Sequence, residues 1–312
     1  MVNTAGVEAF LVSRFGPEVK HVAGVGQGEW SKAYAFQHRG SHFVARFGAF
    51  EEDFAKDRLA ARFGSRDLPI PKVTDTRHAF GGFYAVSERA FGEYIDVLDQ
   101  ARMRAVLPSL FATLDAPGRV DLSATRGYGG WGADGTAPYA SWRAALLGVA
   151  TDHTAGRTRG WRERLAASPV GRGPFEEAFG HLQALVDHRP EQCHFIHSDM
   201  LNYNVLVQEG RISAVFDWGR AKYGDFLYDL AWFAFWAPWY PAWQRIDFRD
   251  EARRHFEEIG LDVPSFEERF RCCQIHIGLD GQAYTAFKRH WLALADVAQR
   301  TLAVAIGRIY LR

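Results

Sequence analysis

One segment holds most of the residues whose types and spacing could do chemistry: HFIHSDMLNYNVLVQEGRISAVFDWGRAKYGDFLYDLAW, residues 194–232. It sets His197, Asp199 and Asn204 on a loop. Two β-like runs follow, residues 204–208 and 212–216, separated by a turn at Glu209-Gly210, and Asp217 lies just past the second run. An Asp and an Asn five apart, with a second Asp thirteen beyond the Asn, can converge at one end of such a hairpin. Phosphoryl transfer needs a set of this kind. One carboxylate orients and deprotonates an attacking hydroxyl, while an amide and a second carboxylate hold Mg²⁺ against phosphates. Isolated HxD pairs occur by chance, and a lone Asp usually caps or is solvated. The ordered set in its strand context favours chemistry.

Other elements must position these residues. Residues 20–47 alternate and read as strand, Gly-rich turn, strand (33–37), tight turn at Arg39-Gly40, and strand (42–47). The turn GVGQG is a weak signal alone and gains force from its place between two strands. Residues 51–63 open with acids and carry helical apolar spacing. LPIPKV leads to a hairpin turning at Gly81-Gly82, with FYAVSE as its second strand, and the sheet-rich part ends near Phe91-Gly92. Helical patterns dominate from Glu93 onward. Residues 117–140, rich in Gly, Ala and Asp, read as an irregular loop, and the last seventy residues as helix. Near the start, Val7, Phe10, Leu11 and Phe15 share one face of a short amphipathic helix.

Composition narrows the classes. The 312 residues suffice for two modest domains, and the 47% hydrophobic and 24% charged content is that of a globular protein. A net charge of zero argues against a nucleic-acid binder with a broad basic face. Cys193, Cys272 and Cys273 make neither a disulfide framework nor a zinc spacing, which is consistent with a reducing cytoplasm. The N-terminus lacks the basic and apolar regions of a signal peptide. The most apolar stretch, residues 230–244, is too short to span a bilayer and is broken by Pro238 and Pro241.

The pattern H-x-D-x-x-x-x-N, followed by a strand ending in x-D-W, resembles the aminoglycoside phosphotransferases, antibiotic-modifying enzymes with a protein-kinase-like fold, and among them the hygromycin B phosphotransferases. GEWSKAYAF, FVARF with AKDRLAARF, LPIPKV, GYGGWG with YASW, FWAPW and IGLD carry the resemblance in order over residues 5–285. It implies an α+β bilobal fold. Residues 1–92 would form a nucleotide-binding lobe with a five-stranded antiparallel sheet, ending at a hinge. Residues 93–312 would form a mainly helical lobe with the catalytic loop and substrate pocket.

The resemblance also implies roles. Asp199 is the expected base, Asn204 and Asp217 the Mg²⁺ ligands, and His197 the brace of the catalytic loop. Gly26, Gly28 and Ser31 cover the phosphates of ATP, with GTP not excluded. Arg46 stands where protein kinases place a Lys, and Arg can grip phosphate bidentately. Its carboxylate partner is expected to be Asp57, with Glu51, Glu52 and Asp53 as competitors. The Ser87 carbonyl and the Arg89 or Ala90 amide would read the adenine edge. Asp225 and Asp229 would hold the following segment together. Trp236 and Trp239 are pocket candidates, since aromatic faces suit sugar rings and amines, although helically spaced aromatics are more often core. Asn202, Asp280 and Tyr284 are further acceptor contacts; Asp280 could instead cap a helix or pair with Arg271 or Lys288. The loop bearing Trp131 and Asp134 either covers the substrate or is plain surface. The expected acceptor is an aminoglycoside, hygromycin B, on a monomer. Another small alcohol or a macrolide is the alternative, as is a non-catalytic nucleotide-binding module, which would be expected to lack one of Asp199, Asn204 and Asp217.

Overall fold

A computed structural model describes residues 3–154, 156–188 and 193–308. Helix α1 (Thr4–Phe15), N-capped by the Asn3 side chain, precedes strands β1 (Val19–Gln27), β2 (Ser31–His38) and β3 (Ser41–Gly48). Then come α2 (Glu51–Ala60), β4 (Val73–Ala79) and β5 (Gly82–Glu88). The five strands form one antiparallel sheet in the order β1-β2-β3-β5-β4. Val7 and Leu11 of α1 are fully buried against Tyr34, Phe36, Phe47 and Tyr84 of this sheet, as their spacing implies.

Two sequence expectations shift here. The helix expected over 51–63 ends at Ala60 and tightens into a single 3₁₀ turn, residues 61–63. The hairpin turns at Phe80-Gly81 rather than Gly81-Gly82. Both turn residues have positive φ, 53° and 75°, as at Arg39-Gly40 and Glu209-Gly210. Gly82 belongs to β5, where a Cβ would sit 2.5 Å from the Gly48 carbonyl oxygen. The second glycine therefore serves strand packing, not the turn.

The helical part begins with β6 (Glu93–Tyr94), α3 (Gln100–Asp115), β7 (Gly129–Gly130), α4 (Trp142–Leu147), α5 (Trp161–Ala166) and α6 (Gly173–Leu185). It continues through β8 (His194–Ile196), the hairpin β9 (Val205–Gln208) and β10 (Arg211–Val215), and β11 (Lys222–Gly224). Helices α7 (Leu227–Trp236), α8 (Phe248–Glu258), α9 (Phe266–Lys288) and α10 (Trp291–Ala305) complete it. Two small sheets, β10-β9-β6 and β7-β11-β8, present the loops between them. The loop bearing Trp131 and Asp134 is pinned rather than free: Ala133 and Asp134 are exposed, but Trp131 is not. It is 1% exposed and stacks on Tyr223 at 5.7 Å, so its loop is anchored in the core, and Asp134 caps Thr136 within that loop. No helix among the described residues is long and apolar enough to cross a membrane.

Helix α9 is the axis of this part and packs against α5, α6, α7 and α10. At Gly278 it approaches its neighbours so closely that a Cβ would collide with the Thr301 side chain and meet the Phe235 ring at 2.9 Å. Helix propensity alone favours Gly278→Ala by about 1 kcal/mol. Overpacking costs about 1–3 kcal/mol and should win. Gly278→Ala is therefore expected to lower the denaturant midpoint; a raised midpoint would show that these helices slide apart freely.

Candidate active site

The loop between β8 and β9 is built by backbone capture. The amides of His197 and Ser198 donate to the Asp229 carboxylate of α7 at 2.8 and 2.6 Å. Burial raises the Asp229 carboxyl to about 6, against the pull of those two amides. Asp96 accepts from the amides of Asn202 and Tyr203 and from the Tyr240 hydroxyl. Ser198, Asn202, Tyr203 and Asp217 all have φ between 59° and 65°. Such left-handed positions cost energy in non-glycine residues and gather at functional sites.

His197 braces the loop through the main chain. Its Nδ1 accepts from the Asp199 amide at 3.1 Å, its Nε2 faces the Phe216 carbonyl at 3.0 Å, and Trp218 packs on its ring edge-to-face. Burial lowers its pKa to about 4, so the imidazole is neutral near pH 7, with Nε2 carrying the hydrogen. Asn204 Nδ2 donates to the Asp199 carbonyl at 2.9 Å, which leaves Oδ1 as its free acceptor. The Asp199 carboxylate takes the Asn202 side-chain amide on Oδ1 at 2.8 Å. Burial raises Asp199 to about 6, while the charge of Arg220 and the Asn202 bond oppose that rise.

Above the loop, Arg46 of β3 pairs with Asp57 of α2, and its other terminal nitrogen lies 3.5 Å from Asp217. Of the competing acids, Asp53 holds Arg157 bidentately at 2.8 and 3.0 Å, Glu52 pairs with Lys56, and Glu51 is exposed. Asp57 also accepts the Trp218 amide at 2.8 Å. Burial raises its carboxyl to about 6 against the attraction of Arg46. Gly26 is in the end of β1, paired with Ala33, rather than in the turn, and a Cβ on it would meet nothing within 4 Å; Gly28 sits in the β1–β2 turn, its amide donating to the Ser31 carbonyl. In the expected hinge, Ser87 lies in β5 between Val44 and Val73. The Arg89 amide donates to the His42 carbonyl at 3.0 Å, so Ala90 is the hinge amide left to face a ligand.

The acceptor candidates divide. Trp236 and Trp239 pack together at 5.1 Å; Trp239 is 39% exposed, and Trp236 lies against Gly281, next to Asp280. Asp280 is inside α9 rather than beyond a helix, and it pairs with Arg220, not with Arg271 or Lys288. Tyr284 donates to Glu29. Asp225 takes Arg269 through two bonds of 2.8 and 2.9 Å, a buried pair joining the segment after β11 to α9. The sequence reading missed Arg220, Lys222 and Asp96. The first two lay in the segment already singled out, three and five residues past Asp217, whereas nothing around Asp96 marks it. Lys222 donates to the Ser198 hydroxyl at 2.8 Å, and burial, then Arg220, lowers its pKa to about 8. It borders a cavity of about 200 Å³ with Tyr139, Trp142, Trp161, His276 and Asp280.

A carboxylate, an amide and a second carboxylate around one loop, with a guanidinium–carboxylate bridge reaching down from an antiparallel sheet, is how kinase-like phosphotransferases are built. The chain belongs to the phosphotransferase enzyme family, whose model matches residues 22–265. It is 32% identical to hygromycin-B 4-O-kinase of Escherichia coli over 281 residues, covering 89% of this chain and 78% of that protein. A crystal structure of a thermostable mutant of aminoglycoside phosphotransferase APH(4)-Ia, in ternary complex with AMP-PNP and hygromycin B, superposes with a TM-score of 0.83 at 30% identity, covering 96% of this chain and 97% of that one. Aminoglycoside 2'-phosphotransferase-IIIa, at 13% identity and a TM-score of 0.65 over 98% of this chain and all of that one, shares the fold.

Removing Arg46 leaves Asp57 buried without a cation. Arg46→Met should cost about 3–5 kcal/mol in urea unfolding, while Arg46→Lys, which keeps an ammonium beside Asp57, should lose much less. Equal losses would mean that packing on Phe54, 5.0 Å below the guanidinium, carries the effect.

Proposed function

We propose that this phosphotransferase moves the γ-phosphoryl group of ATP to a hydroxyl of an aminoglycoside, hygromycin B being the acceptor, and so confers resistance to it. The observation that carries the reading is the Asp199 carboxylate, held on a braced loop with one oxygen engaged by Asn202 and the other left to accept a proton. Likeness to a hygromycin-B kinase across 89% of the chain supports the acceptor. Residues 1–92 serve the nucleotide and 93–312 the acceptor and the chemistry, in a cytoplasmic monomer.

In this mechanism the acceptor O–H donates to Asp199 Oδ2, and the proton passes to that oxygen as the hydroxyl oxygen attacks the γ-phosphorus in line, while the bond from that phosphorus to the β,γ-bridging oxygen breaks and ADP leaves. The charge of Arg220 favours the ionised carboxylate, and neutral His197 fixes the Asp199 backbone. Arg46 offers guanidinium hydrogens toward the phosphates from above Asp217. The donor set suits Mg²⁺: Asn204 Oδ1 and the Asp217 carboxylate are hard oxygen ligands, and few protein ligands are needed when phosphates supply the rest. Bound there, Mg²⁺ would neutralise charge on the transferring phosphates. Gly26, Gly28 and Ser31 cover those phosphates, and the Ala90 amide faces the base, a main-chain contact open to ATP or GTP, whereas Ser87 is taken up in the sheet.

One observation keeps a second acceptor class in view. Arg220 and Lys222 put two cations beside the acceptor side of Asp199, and its nearby acid Asp280 is already paired. A small alcohol without an ammonium at that point would also fit.

Asp199→Asn preserves shape and should lower kcat by about 10²–10⁴, the range of general-base catalysis, with little change in the unfolding midpoint. A coupled nucleotide-consumption assay against aminoglycosides, macrolides and choline-like alcohols tests the acceptor. Turnover is expected with hygromycin B; turnover with a macrolide or choline alone would replace the substrate.

A further inference from the structure

The turn between β1 and β2 carries an acid, Glu29, that the reaction as described leaves unused. Its carboxylate crosses the cleft to α9, where it accepts from the Tyr284 hydroxyl and lies 2.6 Å from the Lys288 ammonium. Burial alone would raise the Glu29 carboxyl; Lys288 and Tyr284 hold it below its ordinary value. The neighbouring Trp30 ring has Lys288 at 5.9 Å and Arg157 at 5.8 Å, both from the helical part. Within its own lobe the turn is held by Trp30, which packs edge-to-face on Phe50 at 5.5 Å, and by the Gly28 amide on the Ser31 carbonyl. Val25 and Trp30 are exposed, and the space around Gly26 is open.

Asp280, Tyr284 and Lys288 stand at i, i+4 and i+8 on one face of α9, a span of about 12 Å. Asp280 holds Arg220, whose charge acts on Asp199, while Tyr284 and Lys288 hold Glu29. A single rigid helix face thus touches both ends of the reaction. A glycine-rich turn loses much freedom when a ligand orders it, and a tie that orders it beforehand reduces that loss.

We propose that Glu29 is a positioning residue for phosphoryl transfer, fastening the Gly-rich turn to α9 through Tyr284 and Lys288 so that it already lies over the nucleotide phosphates. This rests on the reading of residues 26–31 as the phosphate-covering segment. Because Glu29 and Lys288 are each about 30% exposed, the tie is sensitive to salt.

The test is a double-variant cycle on the full chain with saturating acceptor. Glu29→Gln and Lys288→Met should each raise the nucleotide KM about fivefold, near the upper range for a partly exposed ion pair, with kcat within about twofold. The double variant should be no worse than the poorer single one, since both break the same tie. Raising the salt concentration should increase the wild-type KM more steeply than that of Lys288→Met, since only the former also loses the tie. Tyr284→Phe, which removes only a hydroxyl, serves as a mild third variant and should raise KM about twofold. Unchanged KM values, or a double variant whose KM rise is the product of the two single rises, would overturn the tie while leaving the kinase reading intact. A wild-type chain that consumes no nucleotide with any acceptor would instead sink the kinase reading, and the tie's role with it.

Discussion

Asp57 is the joint on which the two halves of the site are registered. From α2 it accepts from the Arg46 guanidinium of the sheet and from the Trp218 amide of the segment after β10. Its neighbours reinforce the same seam: Lys56 donates to the Gly219 carbonyl at 3.1 Å, and Asp53 holds Arg157. Asp217 therefore has its position set from both sides, by the hairpin that ends before it and by α2 above it. A buried ion pair contributes little net stability, because desolvation consumes most of the attraction, but removing one partner is costly. Such a pair suits registration, since a docking that parts Arg46 from Asp57 leaves the Asp57 carboxylate buried without its cation.

The same economy recurs below. Asp57, Asp199 and Asp229 are all pushed up to about 6 by burial, and each is answered locally: by Arg46, by Arg220 with Asn202, and by two backbone amides with Lys222. Left-handed residues at 198, 202, 203 and 217 add backbone strain to the charge cost. Both are expenses that core packing elsewhere must offset, and their concentration around one loop marks where function outweighs stability.

Much of this was legible in the sequence because it rests on local rules. The antiparallel strands followed from alternation and glycine turns, and the hairpin at 205–215 from its apolar runs around Glu209-Gly210. The order of Asp199, Asn204 and Asp217 survives as a spatial cluster because a short hairpin returns its own ends to one place. What stayed hidden depends on long-range approach. Gly82 looked like a turn residue, but β3 needs its bare backbone. Trp131 sat in a glycine-rich stretch that reads as surface, yet its ring is core. Asp96 caps the catalytic loop from more than a hundred residues away, and no spacing rule reaches that far. Asp280 could be read as a helix cap, but it is inside α9 and its partner, Arg220, is sixty residues away in sequence.

The acceptor side is constrained by charge more than by shape. Arg220 and Lys222 lie beside Asp199, and Asp280 is spent on Arg220. On the proposed reading, a polycation approaching Asp199 meets repulsion from these two cations unless a hydroxyl-bearing face leads and its ammonium groups trail. Trp239 is 39% exposed beside Trp236, and an aromatic face of this kind can take an amine or a sugar edge without a formal charge. The two cations thereby orient as well as activate. On that reading they favour the ionised form of Asp199 against the effect of burial, and they favour approach by the uncharged, hydroxylated edge of an acceptor.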